Sequence, residues 1–169
     1  MKKILSLLFL LPLFASAQDT CHLKKSKDAF TKESRISTGF IPFISNGVQL
    51  HISMDATATE IDFFLWVKND SKCFDSQSSA QINYEGDRLK ANFKNTGSMN
   101  CEGAFHFTFK NAVNTPSNLK RFMDKRLASI KLTGSGNTVT EISFNEEQKQ
   151  QFLRMVNCLV AEAKTIISK

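Results

Sequence analysis

Three side chains suited to acid–base or metal chemistry fall on predicted strands of this sequence. His51 and His106 lie on the more polar faces of their strands, and Asp62 lies on the less apolar face of a strand at 59–68. If these strands are neighbours, two imidazoles and a carboxylate converge, which suits metal binding or general acid–base catalysis. The alternative is that the three residues simply occupy the solvated face of a sheet. Any catalytic role therefore depends on the strand order.

Cysteines form the second set of reactive side chains. The chain has four: Cys21, Cys73, Cys101 and Cys158. If the chain is exported, an even number of cysteines predicts two disulfides, for which three pairings exist. Pairing 73–101 with 21–158 is favoured, because Cys73 and Cys101 flank turns of one β region, while Cys21 and Cys158 lie near the two ends of the chain. The sequence has no C-x-x-C pair, so we expect neither a zinc site nor any other metal or cofactor.

Aromatic residues are unusually skewed towards phenylalanine. The chain has 15 Phe against one Trp and one Tyr. Binding surfaces favour Trp and Tyr, whereas Phe is more typical of a core. The alternative is that the Phe side chains line a cavity for an apolar ligand. An exposed apolar binding surface is expected, if anywhere, at Phe43, Phe64 and Trp66.

Alternating apolar residues predict the strands that must position these groups. A hairpin at 40–44 and 48–54 turns at Asn46-Gly47, a dipeptide that tolerates positive φ at both positions. Pro42 cannot donate a ladder hydrogen bond, so the first arm is either an edge strand or begins after Pro42. Further strands are predicted at 59–68, 80–84, 88–93, 104–110, 128–133 and 139–144.

Two helices complete the predicted fold. A short helix near 116–126 is predicted with Thr115 as its N-cap and Pro116 as its first residue. A long amphipathic helix near 146–167 follows Asn145, with Gln148 at the capping-box position. The expected class is α+β, a mostly antiparallel sheet of about seven to nine strands with the helices on one face.

The N-terminus predicts export. Residues 1–17 combine Lys2 and Lys3, an apolar run and Ala15-Ser16-Ala17, which is the pattern of a cleaved signal peptide. Residues 18–169 then form a single domain without a transmembrane segment, in a periplasm or outside the cell. The short basic start and compact apolar run are typical of bacteria.

Composition excludes several classes of protein. With 41% hydrophobic and 22% charged residues, the chain is neither disordered nor a polytopic membrane protein. The net charge is +6, or +4 without Lys2 and Lys3. Basic residues cluster in two segments, 24–35 and 120–131, which are either solvated faces or contacts for an anionic envelope surface. Nucleic acid is not an expected partner, since no recognition motif is present.

Four segments give the chain a familiar pattern. They are Lys72-Cys73-Phe74-Asp75, the segment 95–101 ending at Cys101, Val139-Thr140-Glu141-Ile142, and the lysine-rich segment 25–32. Together they resemble a group of small secreted bacterial proteins of unknown function. The resemblance implies no activity, substrate or site residues.

Function is predicted mainly by exclusion. The sequence has no G-x-S-x-G, H-E-x-x-H, Walker or G-x-G-x-x-G motif. We therefore expect a non-enzymatic exported domain that binds an envelope component, a partner protein or an apolar ligand. The alternative is a hydrolase or metal-dependent enzyme that uses His51, Asp62 and His106. A third possibility is a structural or inhibitory protein acting through Phe43, Phe64 and Trp66.

Overall fold

A computed structural model describes residues 21–68 and 72–167 of the protein, in which ten strands and two helices form. The strands are β1 (Lys24–Lys27), β2 (Ser34–Ser37), β3 (Ile41–Ser45), β4 (Val48–Ala56), β5 (Glu60–Lys68), β6 (Ser79–Tyr84), β7 (Ala91–Lys94), β8 (Ala104–Lys110), β9 (Leu127–Thr133) and β10 (Val139–Ser143). The helices are α1 (Ser117–Asp124) and α2 (Glu146–Ala163). The α+β class is confirmed, and the strands divide between two sheets.

The first sheet is the larger one. Its order is β1-β2-β4-β5-β8, and β3 pairs with the other half of the β4 edge. The second sheet has the order β10-β9-β6-β7. Every pairing is antiparallel. The β3–β4 turn has positive φ at both Asn46 and Gly47, as the hairpin prediction requires.

The prediction of seven to nine strands is wrong, because β1 and β2 were not expected. All four residues of β1 are exposed, so this strand has no apolar alternation by which a sequence pattern could reveal it. β1 and β2, with the turn between them, contain the first basic segment (24–35), which was interpreted only as a charge cluster. Their lysines lie on a short hairpin at the edge of the large sheet, where charged residues discourage pairing with other chains.

Phenylalanine rings fill the space between the two sheets and the helices. Phe63 on β5 stacks on Phe107 of β8 at 5.3 Å between ring centroids and contacts Phe122 of α1 at 5.2 Å. Phe107 in turn stacks on Phe93 of β7 at 4.4 Å. These rings pack against one another, so they form the core and do not line a cavity for an apolar ligand.

The helices begin at different kinds of cap. Asn145 and Gln148 form the expected capping box of α2, which ends at Ala163 and continues as a 3-10 turn to Ile166. α1 begins at Ser117 with Pro116 at its N-cap and no side-chain cap bond. The expected Thr115 cap is therefore one residue too early.

Two disulfides join distant parts of the chain. Cys21 pairs with Cys158 of α2, and Cys73 pairs with Cys101, which is the pairing that the sequence favours. Bridges of this kind contribute about 2–4 kcal/mol each. The predicted signal peptide at 1–17 and the start of the mature chain at Gln18 lie outside the described residues. No helix within the described ranges is long and apolar enough to span a membrane.

Candidate functional site

The three residues that the sequence singled out as candidates for acid–base or metal chemistry, His51, Asp62 and His106, all lie on the outer face of the first sheet. Strands β4, β5 and β8 each turn alternate residues towards the core and away from it. On the outer side, the cross-strand partners are His51 with Trp66, Phe64 with His106, and Asp55 with Asp62. This face is half-buried, which makes it unlike either the dry inner face or an ordinary solvated surface.

Asp62 and His106 are brought together. They are diagonal neighbours on β5 and β8, and the Nδ1 atom of His106 lies 3.3 Å from Oδ1 of Asp62. The hydroxyl of Thr96 lies 3.3 Å from the same nitrogen. The backbone N–H of His106 donates to Oδ1 of Asn95, so the loop before β8 fixes the strand that carries the imidazole. A Cβ at Gly97 would overlap the His106 ring, so this loop approaches the ring closely.

His51 does not join that pair. It lies on β4, on the opposite side of β5 from His106. The two residues are therefore two strand spacings apart across the sheet, about 10 Å in total. Its ring meets Trp66 edge-on at 5.2 Å, and its Nε2 atom is buried without a hydrogen-bond partner. Within 21–68 and 72–167, no three His, Cys, Asp or Glu residues are placed to hold a metal ion.

Two carboxylates face each other across β4 and β5. Asp55 is directly opposite Asp62, an arrangement that destabilises a sheet unless cations compensate. Arg35 of β2 lies 3.3 Å from Asp55, and Ser53 donates to the same carboxylate. Burial raises the pKa of Asp62, His106 opposes that shift, and Asp55 and Glu60 add to it by charge repulsion. The site thus holds a carboxylate that a cationic or hydroxyl group would stabilise.

Aromatic rings border the carboxylates on one side. Phe40 precedes β3, is 58% exposed, and meets Phe64 at 5.9 Å and Trp66 at 6.3 Å. The indole N–H of Trp66 donates to the carbonyl of Glu102, which fixes the ring. The sequence grouped Phe64 and Trp66 with Phe43. That grouping is wrong for Phe43, which is opposite Leu50 on the inner side of β3 and is completely buried against Phe144 and Phe152.

A groove of about 560 Å³ runs between these features and the β1–β2 hairpin. Its residues combine basic groups, hydroxyls, carboxylates and aromatic rings. They are Lys24, Ser26, Arg35, Ser37, Gly39, Phe40, Ser53, Asp55, Asp62 and Phe64. The groove therefore has hydrogen-bond donors on the side of β1 and β2 and carboxylate acceptors on the side of β4 and β5. Aromatic rings line one end of it.

A smaller groove of about 390 Å³ lies on the other face of the same hairpin. It is bounded by Lys25 and Ile36 on one side and by Glu162 and Ile166 at the end of α2 on the other. Lys25 and Glu162 form an ion pair with each other. No aromatic ring lines this groove, so the larger one offers the richer set of contacts.

Several groove residues escaped prediction. Asp55 continues the outward alternation of Gln49, His51 and Ser53 along β4, and that pattern was sufficient to find it. Lys24 and Arg35 were seen only as part of a charge cluster, since β1 and β2 were not recognised. Phe40 was placed inside a strand, although it precedes β3 and folds over the outer face.

The arrangement offers groups for binding and one pair for proton transfer. Asp62 and His106 can move a proton, and the hydroxyl of Thr96 lies 3.3 Å from the same imidazole nitrogen. Ser53 of the groove donates to Asp55.

No protein-family model, no curated protein and no solved structure matches the chain.

Proposed function

We propose that the protein is a non-enzymatic binding domain, exported from a bacterial cell, that holds a saccharide of the cell envelope in the groove on the outer face of its first sheet. One observation carries this proposal. Donors, acceptors and aromatic faces lie together in one open groove whose carboxylates have only partial internal compensation.

The chemistry of a saccharide matches this set of groups. Sugar hydroxyls both donate and accept hydrogen bonds, so a binding site needs groups of both kinds. Lys24 and Arg35 supply donors, while Asp55 and Asp62 supply charged acceptors. The C–H face of a sugar ring is apolar enough to lie against Phe40 or Phe64.

Export, which this function requires, has its own support. Two disulfides form among the four cysteines, and disulfides persist in oxidising compartments. Residues 1–17 have the composition of a signal peptide. The periplasm or the extracellular space is where an envelope saccharide would be met.

The apolar ligand and the partner protein are less well supported. The Phe residues that would have enclosed an apolar ligand stack on one another. The alternative of an acid–base enzyme retains Asp62 and His106 but loses His51, which contacts Trp66 instead. An enzyme would therefore have to work with one carboxylate–imidazole pair.

The test is an NMR titration of the folded, oxidised protein with soluble fragments of envelope polysaccharides. We expect amide shifts on β2, β4 and β5, and we expect Phe40→Ser to weaken binding about tenfold. Ile44→Ser is the matched control, because Ile44 is similarly exposed at 60%, lies on the same face and does not line the groove.

Two outcomes would overturn the proposal. One is the absence of shifts in the groove with every fragment, or shifts that Phe40→Ser and Ile44→Ser affect equally. The other is a cleaved fragment, detected by mass spectrometry in the same samples and abolished by His106→Ala, which would establish the enzymatic alternative.

A further inference from the structure

The β1–β2 hairpin projects beyond the rest of its sheet. Only Ile36 and Ser37 of β2 pair with β4, opposite Ala56 and Asp55. The other half of the hairpin, from Lys27 to Ser34, continues past the β4–β5 turn. Its far end carries Phe30, whose side chain is 94% exposed.

The tip of this hairpin has a defined conformation. Oδ1 of Asp28 accepts hydrogen bonds from the backbone N–H groups of Phe30 and Thr31, at 2.9 and 2.7 Å. The N–H of Lys32 donates to the carbonyl of Asp28, and the N–H of Asp28 donates to the carbonyl of Glu33. An Asx turn therefore holds Phe30 at the tip, away from the core.

The base of the hairpin is anchored to the body of the protein. Cys21, three residues before β1, is bonded to Cys158 of α2, and Lys25 forms an ion pair with Glu162 of the same helix. The hairpin is thus fixed at its base and presents its tip outwards. A fixed tip loses less conformational freedom on binding than a flexible segment would.

The hairpin carries a net positive charge. From Lys24 to Ser37 there are five basic residues and two acidic ones, Asp28 and Glu33. Lys25 is paired with Glu162, and Arg35 with Asp55. Among the described residues, Lys24, Lys27 and Lys32 are exposed and form no ion pair, so these three lysines remain available for an anionic partner.

Charge alone does not single out the hairpin. In the segment 120–131, too, the two arginines are ion-paired and the three lysines are not, within the part of the chain that the structure describes. The feature that only the hairpin adds to its lysines is a ring that is 94% exposed, Phe30.

We propose that the tip of the β1–β2 hairpin docks on an anionic phospholipid membrane, with Phe30 entering the interface and Lys27 and Lys32 contacting the headgroups. The charges favour any polyanion, but the exposed ring selects among them. A polysaccharide or nucleic acid chain offers lysines an ionic partner, whereas a bilayer also offers the Phe30 ring an apolar phase. Lysine and arginine residues near such a surface each contribute about fivefold in affinity.

A second exposed apolar residue lies at the same end of the molecule. Glu60 at the start of β5 is paired with Lys110 at the end of β8, which places the following segment beside the β4–β5 turn. In that segment Val113 is 82% exposed, second only to Phe30 among the exposed large apolar side chains of the described ranges. The hairpin tip is therefore not the only apolar group that this end offers to an interface.

The test is flotation with vesicles of phosphatidylglycerol and phosphatidylcholine, compared with vesicles of phosphatidylcholine alone. The protein is purified from the compartment to which cells export it, and its mass establishes one N-terminus for all variants. We expect binding to the anionic vesicles only, and weaker binding as the salt concentration rises. Phe30→Ser should reduce binding about tenfold, and Lys27→Glu more than about fivefold.

Matched controls come from the β6–β7 turn. Leu89 is 69% exposed and is followed by the exposed Lys90. Leu89→Ser and Lys90→Glu make the same chemical and charge changes elsewhere on the surface, so we expect them to leave vesicle binding unchanged. None of the four positions lines the groove on the outer face, so saccharide binding is a separate measurement.

Three results would overturn the proposal. The first is no binding to anionic vesicles at low salt. The second is an equal loss of binding in the hairpin variants and in their β6–β7 controls. The third is binding that requires Lys27 but not Phe30 and that a soluble polyanion reproduces, which would assign the hairpin to an anionic polymer.

Discussion

The two faces of the first sheet are built from the same strands but have different compositions and different surroundings. Phe63 and Phe64 are adjacent on β5, yet Phe63 is 1% exposed in the core and Phe64 lies half-buried beside the groove. The inner face is a continuous array of aromatic and aliphatic side chains. The outer face alternates acids, histidines and rings. Stability is therefore concentrated on one face, which leaves the other free to carry groups that a ligand can use.

Neighbours explain this difference. Phe63 contacts Phe107, Phe109, Phe122 and Phe152, which come from both helices and from β8. The main aromatic cover of Phe64 is Phe40, a residue that is itself largely exposed. A ring enclosed by the core cannot be removed without leaving a cavity, whereas a ring at the surface is replaced by water.

The largest expected effect on stability comes from replacing each of the two adjacent phenylalanines by alanine in turn. Phe63→Ala should lower the free energy of unfolding by about 3–5 kcal/mol, because it opens a cavity in a packed aromatic cluster. Phe64→Ala should cost only about 1 kcal/mol, because its ring is partly solvated in the native state. Urea unfolding of the oxidised proteins, followed by circular dichroism, measures both. Equal costs would show that the outer face contributes to stability as much as the core does.

The next largest effect comes from removing the Cys21–Cys158 disulfide, which should affect the hairpin wall of the groove more than the central strands of the sheet. Replacing Cys21 and Cys158 by serine should lower the free energy of unfolding by about 2–4 kcal/mol. It should also speed amide exchange in β1 and β2 more than in β4 and β5, because this bridge holds the hairpin wall of the groove to α2.

The other disulfide provides the control. Cys73→Ser with Cys101→Ser removes a bridge that joins the loop before β6 to the loop before β8. Exchange in β1 and β2 should then change no more than in the rest of the first sheet. If both double variants release the hairpin to the same extent, its order depends on global stability and not on the Cys21–Cys158 bridge.

Sequence patterns predicted the faces of the strands but not their neighbours. Alternation placed Asp62 and His106 outside and Phe63 inside, since each strand carries that information locally. Contact between Asp62 and His106 requires β5 next to β8, and separation of His51 requires β4 on the far side of β5. Neither adjacency is encoded in a local pattern. Phe43 was misplaced because β3 reads Ile-Pro-Phe-Ile-Ser, with apolar residues on both of its faces, so the sequence does not show which face is buried.

Charged and irregular segments were the hardest to predict. β1 has no buried residue, so hydrophobic periodicity is absent from the strand that forms one wall of the groove. Phe40 acts from a connection, and its position depends on Gly39, which has a φ of 65°. The elements that shape the candidate site are thus the ones whose conformation comes from tertiary contacts.

The smallest expected effect comes from two aspartates whose pKa values are shifted in opposite directions by folding. Hydrogen bonds from Ser135, Ser78 and the N–H of Gln77 lower the pKa of Asp75 to about 2, in a loop that has a structural role. Burial raises the pKa of Asp62 in the groove. The folded state therefore binds protons less readily than the unfolded chain at Asp75 and more readily at Asp62.

These opposite shifts have opposite consequences for stability. Asp75 stabilises the fold above its unfolded pKa of 3.8, and that contribution is lost as the pH falls towards 2. Asp62 does the reverse, since stability declines as the pH rises from 3.8 through its raised pKa. Carboxyl NMR titration should therefore place the two midpoints on opposite sides of 3.8.

Asp62→Asn tests whether the outer face gives up stability to keep a carboxylate in the groove. The amide can still contact His106 but no longer repels Asp55, so the free energy of unfolding at neutral pH should stay the same or rise by less than about 1 kcal/mol. Asp75→Asn, the matched change in the loop, should lower it. A clear loss of stability in Asp62→Asn would mean that the Asp62–His106 contact outweighs the repulsion, which would make the pair a structural feature and weaken the case for a ligand in the groove.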